Sequence, residues 1–277
     1  MKERIRSLME QEGIFLFGVL GADRIPLLKP HLLTRAALAP RAYLVYAVPY
    51  FRGEGENLSA YATSRDYHLF LGAFGKKLCA FLESALPHRR FLAFGDHSPI
   101  DERRAAAMAG LGVLGRNGLL ITKEYSSLVF LGEIATDAEP EELGGETVLE
   151  VASCENCGLC LRACPTGILR GEGDVCLSAL TQKKGELTAD EQAAIIAGGL
   201  VWGCDACQLA CPHNAPVGFV TVPDALRDAL RLRGAVEEEM RDRIRILADM
   251  LGKNLIRPVR VKKACELCEE NLRRNGS

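Results

Sequence analysis

The chain has 277 residues, of which 48% are hydrophobic, so it can bury a substantial core as one large domain or about two. Its 34 Lys and Arg residues nearly balance 36 Asp and Glu residues, and the net charge of −2 excludes the global field of a general nucleic-acid or membrane-surface binder. The longest apolar stretches are shorter than the roughly 18 residues that span a bilayer, and the N-terminus lacks the apolar region of a signal peptide. We therefore expect a cytoplasmic protein with no membrane association.

The first half of the chain alternates predicted helices and strands. The charged segment MKERIRSLMEQEG predicts an N-terminal surface helix, and short apolar runs at 14–20, 42–48 and 90–95 predict strands. A helical pattern covers about 58–86 between the second and third strands. Interleaved strands and helices of this kind are typical of an α/β or α+β sandwich.

Capping and breaker residues predict where later elements begin and end. SPID at 98–101 has the form of a capping box with Pro99 at the first helical position, so a helix should begin there and continue through ERRAAAMAG. A strand pair, GLLIT and SLVFLGEI, should follow. The acidic segment 137–148 is rich in Gly and Pro and predicts a domain boundary.

The remaining signals complete the domain organisation. TADE at 188–191 is a second capping box and predicts a helix over about 189–198, and the pattern after Pro223 is helical. We therefore expect an α/β domain over 1–142, a cysteine-rich domain over 143–222 and a short helical segment over 223–277.

Cysteines dominate the second domain. Eight of the eleven cysteines lie between 154 and 211, which favours metal ligation over disulfides in a chain without an export signal. The run CENCGLCLRACP is a complete C-x2-C-x2-C-x3-C-P pattern of bacterial ferredoxins, and it is too dense for the two separated knuckles of a zinc site. The run GCDACQLACPHN has only the last three cysteines of that pattern, and Val201 stands where the first should be.

Counting ligands suggests how the second run is completed. The fourth cysteine of such a run ligates the neighbouring cluster, so two 4Fe-4S clusters are expected, which need eight thiolates where the two runs supply seven. Cys176 is the only cysteine between the runs, and the alternative for it is a buried structural thiol. If Cys176 is a ligand, cluster one takes Cys154, Cys157, Cys160 and Cys211, and cluster two takes Cys164, Cys176, Cys204 and Cys207.

Three further motifs have simpler interpretations. Cys79 lies on an apolar helix face and is expected to be a core thiol. Cys265 and Cys268 form a C-x2-C with no second pair nearby, so metal binding, redox activity and no function all remain open. GLGVLG at 110–115 matches G-x-G-x-x-G, but it follows a helical pattern and precedes a strand, the reverse of the dinucleotide-binding order.

Several stretches together resemble the epoxyqueuosine reductase family. They are SRDYH at 64–68, the continuous segment from GDHSPIDERRAAAMAGLGVLGRNG to SSLVFLGEIATD, and CENCGLCLRACPTGI, CLSALT and GCDACQLACPHN. That family is cobalamin-dependent and related in fold to reductive dehalogenases. The resemblance implies an α+β protein, with a nitroreductase-like α/β cobalamin-binding domain joined to a dicluster 4Fe-4S ferredoxin-like domain, and it implies the ligand scheme counted above.

The resemblance also implies an activity, the reduction of epoxyqueuosine in tRNA to queuosine. Electrons would pass through the two clusters to the cobalt of cobalamin, and the reduced centre would open the epoxide while Asp96 protonates the leaving oxygen. The implied partners are an electron donor such as a flavodoxin, a ferredoxin or a similar reductase, and tRNA. The residues implied to contact the cofactor are Tyr61, Asp96, Gly115, Arg116, Asn117, Ser126 and Ser127.

Two other functions are compatible with the sequence. One is a non-catalytic 4Fe-4S electron-transfer protein whose first domain docks a partner, and the other is a cobalamin-dependent reductase of a different substrate. Asp96 would be a solvated loop aspartate in the first of these. The stretch KNLIRPVRVKK at 253–263 is basic with no acidic residue, which suits either phosphate contact or a solvated helix end.

Overall fold

A computed structural model describes residues 1–50, 59–63, 67–183, 187–198 and 202–215. Chain contacts divide these residues into two compact units, the first formed by 1–50 and 67–156 and the second by 59–63 together with the described residues from 157 to 215. Within these ranges no helix has the length and apolar character needed to cross a membrane. Val201, the predicted helices after Pro223, the 253–263 stretch and the Cys265–Cys268 pair lie outside the described residues.

The first unit is organised around a four-stranded antiparallel sheet. The strands of this unit, in chain order, are β1 (Leu16–Gly21), β2 (Ala42–Pro49), β3 (Phe91–Phe94), β4 (Val113–Leu114), β5 (Leu120–Ile121) and β6 (Val129–Thr136). The sheet order is β1-β2-β6-β3, and β4 and β5 form a separate hairpin. Every residue of β2 is buried, because its apolar sequence lies at the centre of the sheet with both faces covered.

Helices cover the two faces of this sheet. They are α1 (Lys2–Gln11), α2 (His31–Thr34), α3 (Tyr67–Ala85) and α4 (Glu102–Met108). Phe74 of α3 packs edge-to-face on Tyr46 with ring centroids 5.2 Å apart, while the buried alanines of α4 share a core cluster with Val45 and Ala47. Since successive strand side chains point to opposite faces, α3 and α4 lie on opposite sides of the sheet.

The predicted start of α4 at SPID is wrong. Asp101 is the N-cap, and its Oδ1 accepts the backbone N–H groups of Arg103 at 3.1 Å and Arg104 at 3.2 Å. Ser98 instead accepts the N–H of Ile100. The carbonyl of Pro99 accepts the N–H groups of Leu28 and Lys29, so it is committed to another segment and cannot begin the helical ladder.

Two other predicted elements also differ from the structure. GLLIT and SLVFLGEI do not pair with one another as strands, because β5 closes a short hairpin with β4, whereas β6 enters the main sheet between β2 and β3. The short connection between β4 and β5 favours this local pairing. The helix predicted over 58–86 begins at Tyr67, and a separate 3₁₀ turn occupies Ala60–Thr63.

The second unit is built from short helices. They are α5 (Leu159–Ala163), α6 (Leu177–Gln182), α7 (Ala189–Gly198) and α8 (Ala206–Leu209). The predicted capping box is confirmed, because Thr188 Oγ1 accepts the Glu191 N–H at 3.3 Å and Glu191 Oε2 accepts the Thr188 N–H at 2.8 Å. A small core formed by Leu177, Leu180, Leu187 and Ile195 holds α6 and α7 together.

We predict opposite effects for two Gly→Ala substitutions in the first unit. A Cβ on Gly132 of β6 would lie 2.4 Å from Cζ of the buried Tyr46 ring, so Gly132→Ala should lower the free energy of unfolding by about 1–3 kcal/mol. Gly72 is exposed on α3, and no described atom lies within 4 Å of its Cβ position. Gly72→Ala should therefore stabilise by roughly 0.5–1 kcal/mol. Unfolding followed by circular dichroism would measure both, and equal effects would contradict the packing argument.

Candidate functional site

The helices of the second unit begin or end at predicted cluster cysteines. Cys160 lies inside α5 and is buried, Cys164 follows its last residue, and Cys176 is the N-cap of α6. Cys207 lies in α8, which packs on α5, and Cys211 is half-buried just after α8. The local helix boundaries thus present thiols from three helices within one unit.

The charges of neighbouring cysteines raise the pKa values of two thiols, those of Cys204 and Cys207. Burial raises the pKa of Cys204, and the charges of Cys176 and Cys164 raise it further. Burial also raises the pKa of Cys207 to about 11, and Cys204, Cys176, Cys160 and Cys164 all act in the same direction. The structure therefore places Cys176 within electrostatic reach of the thiols that the ligand count assigns to cluster two.

Cys164 has the opposite shift. Burial alone would raise its pKa, but the backbone N–H groups of Leu169, Thr166 and Gly167 and the hydroxyl of Thr166 outweigh burial and lower it. The Cys164 sulfur lies 3.8 Å from Thr166 Oγ1. Donors that point at a sulfur stabilise a thiolate, the form in which cysteine binds iron.

This set of donors fits iron–sulfur ligation. Several neighbouring buried thiols cannot all ionise unless a cation shares their charge, and coordinated iron supplies that charge. Among the residues that the structure describes, no three Cys, His, Asp or Glu side chains are already arranged around a single metal ion.

Cys176 and Cys79 have different environments in the structure. Cys176 is exposed, so the alternative of a buried structural thiol at that position is wrong. Cys79 lies in α3, and burial together with the charge of Glu83 raises its pKa to about 11. Such a thiol is largely protonated at neutral pH, although Cys79 is only partly buried and not a full core residue.

In the first unit, Asp96 forms a pair with His68. Asp96 follows β3 with a φ of 63°, a left-handed conformation that aspartate tolerates better than most residues. Its Oδ2 lies 3.3 Å from His68 Nε2, and the side chain remains 58% exposed. The hydrogen bond from His68 lowers the pKa of Asp96, with further lowering from Tyr67 and Lys29, against a smaller opposing effect of burial.

Two glutamates that the sequence analysis missed lie behind Asp96. Glu102 opens α4, and its Oε1 accepts the backbone N–H of Asp96 at 3.1 Å. Glu133 of β6 is completely buried, and the hydroxyl of Ser98 near its carboxylate lowers its pKa by less than burial raises it. Burial raises the pKa of both groups, and the charge of Glu102 further raises the pKa of Glu133. His68 was within the SRDYH stretch, and Glu133 is the single acidic residue of an apolar strand, so both left a signal in the sequence.

The first turn of α4 also contacts the β4–β5 hairpin. Arg103 Nη1 donates to the carbonyl of Gly118 at 2.9 Å. Arg103 directly follows Glu102, whose side chain accepts the Asp96 N–H. The hairpin turn is closed by the Gly115 N–H donating to the Leu119 carbonyl at 2.8 Å. Adjacent side chains of α4 therefore hold the Asp96 loop and the hairpin.

Most residues implied to contact the cofactor lie on this hairpin and the turn after it. Gly115, Arg116 and Asn117 form the β4–β5 connection, and Ser126 and Ser127 are buried just beyond β5. Neither Asn117 Nδ2 nor Ser126 Oγ has a hydrogen-bond partner in the described part of the chain, although both atoms are buried. Orphaned buried polar atoms indicate a missing partner at this surface.

Two further residues implied to contact the cofactor, Arg116 and Tyr61, lie in different units. Arg116 Nη1 donates to Asn156 Oδ1 at 2.6 Å within the first unit. Tyr61 lies in the second unit, in the 3₁₀ turn held by the Ser59 N–H donating to the Trp202 carbonyl at 2.9 Å and the Ala60 N–H donating to Asp205 Oδ2 at 2.5 Å. The structure thus fixes the turn of Tyr61 beside the second cysteine run.

Comparison with known proteins identifies both parts of the chain. The profile of a 4Fe-4S double cluster binding domain matches residues 153–214, which confirms the predicted pair of 4Fe-4S clusters. The epoxyqueuosine reductase of Gloeobacter violaceus is 38% identical over 184 residues, covering 63% of this chain and 56% of that protein. The epoxyqueuosine reductase of Listeria monocytogenes is 36% identical over 229 residues, covering 77% of this chain and 58% of that protein.

The chain belongs to the epoxyqueuosine reductase family. It spans little more than half the length of these two relatives. The solved epoxyqueuosine reductase from Streptococcus thermophilus has the same fold, with a TM-score of 0.73 and 22% identity over 98% of this chain and 81% of the other. An epoxyqueuosine reductase solved with an epoxyqueuosine-modified tRNA-Tyr stem loop gives a TM-score of 0.72 at 22% identity, over 96% of this chain and 80% of the other. These structures confirm the expected α+β fold.

We predict that Glu133 makes stability fall as pH rises. A carboxyl whose folded pKa is raised stabilises the fold below its ordinary pKa of 4.5, and that contribution is lost as pH rises through the raised value. Between about pH 5 and pH 9 the parent should lose on the order of 2–4 kcal/mol of unfolding free energy that Glu133→Gln retains. Urea unfolding across this range would measure the difference. The exposed Glu10→Gln is the control and should keep the pH dependence of the parent.

Proposed function

We propose that the chain is an iron–sulfur- and cobalamin-dependent reductase that converts epoxyqueuosine in tRNA to queuosine. The name of its relatives, epoxyqueuosine reductase, indicates the substrate, and the double-cluster domain would provide an electron path. The observation that carries the proposal is the Asp96–His68 pair, because opening an epoxide requires a proton at the leaving oxygen. An electron-transfer protein without chemistry of its own has no need for such a pair.

The cluster ligands follow from spacing and from the shifts described above. Cluster two would take Cys164, Cys176, Cys204 and Cys207, by the ligand count, and the pKa shifts of Cys204 and Cys207 support the placement of Cys176 among these thiols. Cluster one would then take Cys154, Cys157, Cys160 and Cys211, by the ferredoxin pattern of the first run. An external donor of the flavodoxin, ferredoxin or similar reductase class would deliver the electrons.

Cobalamin would bind at the hairpin of the first unit. Two buried atoms, Asn117 Nδ2 and Ser126 Oγ, have no hydrogen-bond partner among the described residues. They are an amide donor and a hydroxyl, which suit polar groups at the edge of a corrin. Gly115, Arg116 and Ser127 lie beside them on the same segment, and Tyr61 and Asp96 complete the expected set. When bound, cobalamin would supply a cobalt centre able to deliver electrons to the epoxide carbon.

The chain's own side chains would then position the substrate and transfer protons. Asp96 is exposed enough to reach a substrate, and His68 Nε2 lies 3.3 Å from its carboxylate. The substrate is expected within tRNA, as in the solved relative with a modified tRNA stem loop. The basic 253–263 stretch, which lies outside the described residues, is a candidate for phosphate contact.

We predict that Cys176 is required for one of two clusters. Reconstituted without oxygen, the parent should bind roughly eight iron atoms, and Cys176→Ala should bind about half as many or hold a perturbed cluster with altered EPR. Iron analysis and EPR of the reduced protein would measure this. Cys79→Ala is the control, because Cys79 lies in α3 and should leave iron content unchanged. Full iron and an unaltered spectrum in Cys176→Ala would refute the ligand scheme.

We predict that turnover requires both cobalamin and Asp96. With added cobalamin and a low-potential reductant, the parent should retain corrin absorbance through gel filtration and convert epoxyqueuosine in a tRNA stem loop. Asp96→Asn should keep iron and corrin but lose about 100-fold or more in turnover. Asp23→Asn, at an exposed aspartate, should match the parent. Retention of iron without corrin would favour an electron-transfer protein, and corrin retention without turnover would favour a different substrate.

A further inference from the structure

The proton chemistry of the proposed reaction needs more than Asp96. Reduction of an epoxide to an alkene breaks both carbon–oxygen bonds, forms the carbon–carbon double bond and releases water, consuming two electrons and two protons. The pKa of Asp96 is lowered by His68, so at neutral pH this carboxyl is ionised for most of the time. A neighbouring group has to resupply the proton that Asp96 delivers.

Glu102 is placed to do so. Its Oε1 accepts the Asp96 N–H at 3.1 Å, which holds the Glu102 carboxyl beside Asp96 and leaves Oε2 to carry a proton. A protonated carboxyl keeps this contact, because its carbonyl oxygen is still an acceptor. Burial raises the pKa of Glu102 to about 7, so a substantial fraction of this carboxyl is protonated at neutral pH.

Glu133 lies within electrostatic reach of Glu102. It is 0% exposed, and the Ser98 hydroxyl near its carboxylate lowers its pKa by less than burial raises it. It stands on the face of β6 against which α4 packs, and the charge of Glu102 reaches it. Two carboxyls in such a site share protons and do not both ionise at neutral pH.

The surrounding charges do not neutralise the pair. Lys29 acts on Asp96, Glu102 and Glu133, and Arg103 also acts on Glu102, but burial outweighs these cations at Glu102 and Glu133 and leaves both pKa values raised. Its Nζ also lies 3.4 Å from His97 Nδ1. The titratable and charged groups that face the pair are Asp96, Lys29 and Arg103 around Glu102, and Lys29, Tyr43 and Tyr46 around Glu133.

We propose that Glu102, backed by Glu133, is a proton reservoir that recharges the Asp96–His68 pair during turnover. This rests on the proposed function. The O–H bond of Glu102 breaks as the Asp96 carboxylate takes the proton, and Asp96 passes it to the leaving oxygen of the substrate. Glu102 is only partly buried and is reprotonated from solvent, while the buried Glu133 holds a second proton and the external donor supplies two electrons. Glu102 acts through Asp96 and is therefore a positioning residue.

Glu102→Gln separates the two roles of the side chain. The amide oxygen still accepts the Asp96 N–H, but the side chain has no ionisable proton to donate. We expect kcat on a modified stem loop to fall by about 100-fold with KM, iron and corrin unchanged. The parent should lose activity on the alkaline side as the reservoir ionises, and the variant should lack that limb. Glu10→Gln should behave as the parent.

A spectroscopic measurement tests the reservoir without turnover. The infrared spectrum of the parent at neutral pH should contain the carbonyl stretch of a buried protonated carboxyl that shifts in D2O and disappears at alkaline pH. Glu102→Gln and Glu133→Gln should each remove part of this band. Glu133→Gln is nearly isosteric and should also lower kcat by about 10-fold, which covers the case in which the first variant does not fold.

The outcomes are distinct. Persistence of the whole band in both variants would overturn the reservoir whatever the activity. Parent-like kcat and an intact alkaline limb in Glu102→Gln would overturn it while leaving the reductase function in place. A parent loaded with iron and corrin that never converts epoxyqueuosine would refute the proposed function and the reservoir with it.

Discussion

The antiparallel pairing of β2 with β6 is the constraint on which the first unit depends. The pairing runs the full length of both strands, from Ala42 opposite Thr136 to Pro49 opposite Val129. Because α3 and α4 cover the two faces, every residue of β2 is buried, and Glu133 is buried with them opposite Val45. An isolated carboxylate in that position would be very costly, so the folded core favours a protonated carboxyl. Burial of Glu133 in the closed core therefore favours a bound proton on its carboxyl.

The first turn of α4 transmits this constraint to the site. Asp101 caps the helix, Glu102 holds the Asp96 loop and Arg103 holds the β4–β5 hairpin. Since the alanines of α4 are packed on β2, the helix cannot shift without disturbing the central pair of strands. The acidic pair and the proposed corrin surface therefore share one rigid support, which suits a reaction that needs a proton and electrons at the same carbon–oxygen bond.

Sequence reasoning succeeded where the chemistry is encoded locally. The cysteine spacing predicted a double-cluster domain, and residues 188–191 predicted a helix start, because both depend on residues close in the chain. It failed at SPID because the acceptor that matters, the Pro99 carbonyl, is used by the distant Leu28 and Lys29. His68 and Glu133 were missed for the same reason, since their roles arise from contacts across elements. An acidic residue inside an apolar strand such as SLVFLGEI is nevertheless a usable sign of a buried carboxyl.

The second unit depends on its thiols in a comparable way. Its apolar core is small, with Leu177, Leu180, Leu187 and Ile195 as the buried cluster, so packing alone provides limited stability. Cys176 is the N-cap of α6 and immediately precedes Leu177, so a cysteine outside the ferredoxin run is fixed by the core that anchors this helix. Burial and mutual repulsion disfavour ionisation of Cys204 and Cys207, and coordinated iron would remove that repulsion while joining separate helices. Ligation by Cys176, as proposed above, would couple cluster assembly to the stability of this unit through α6.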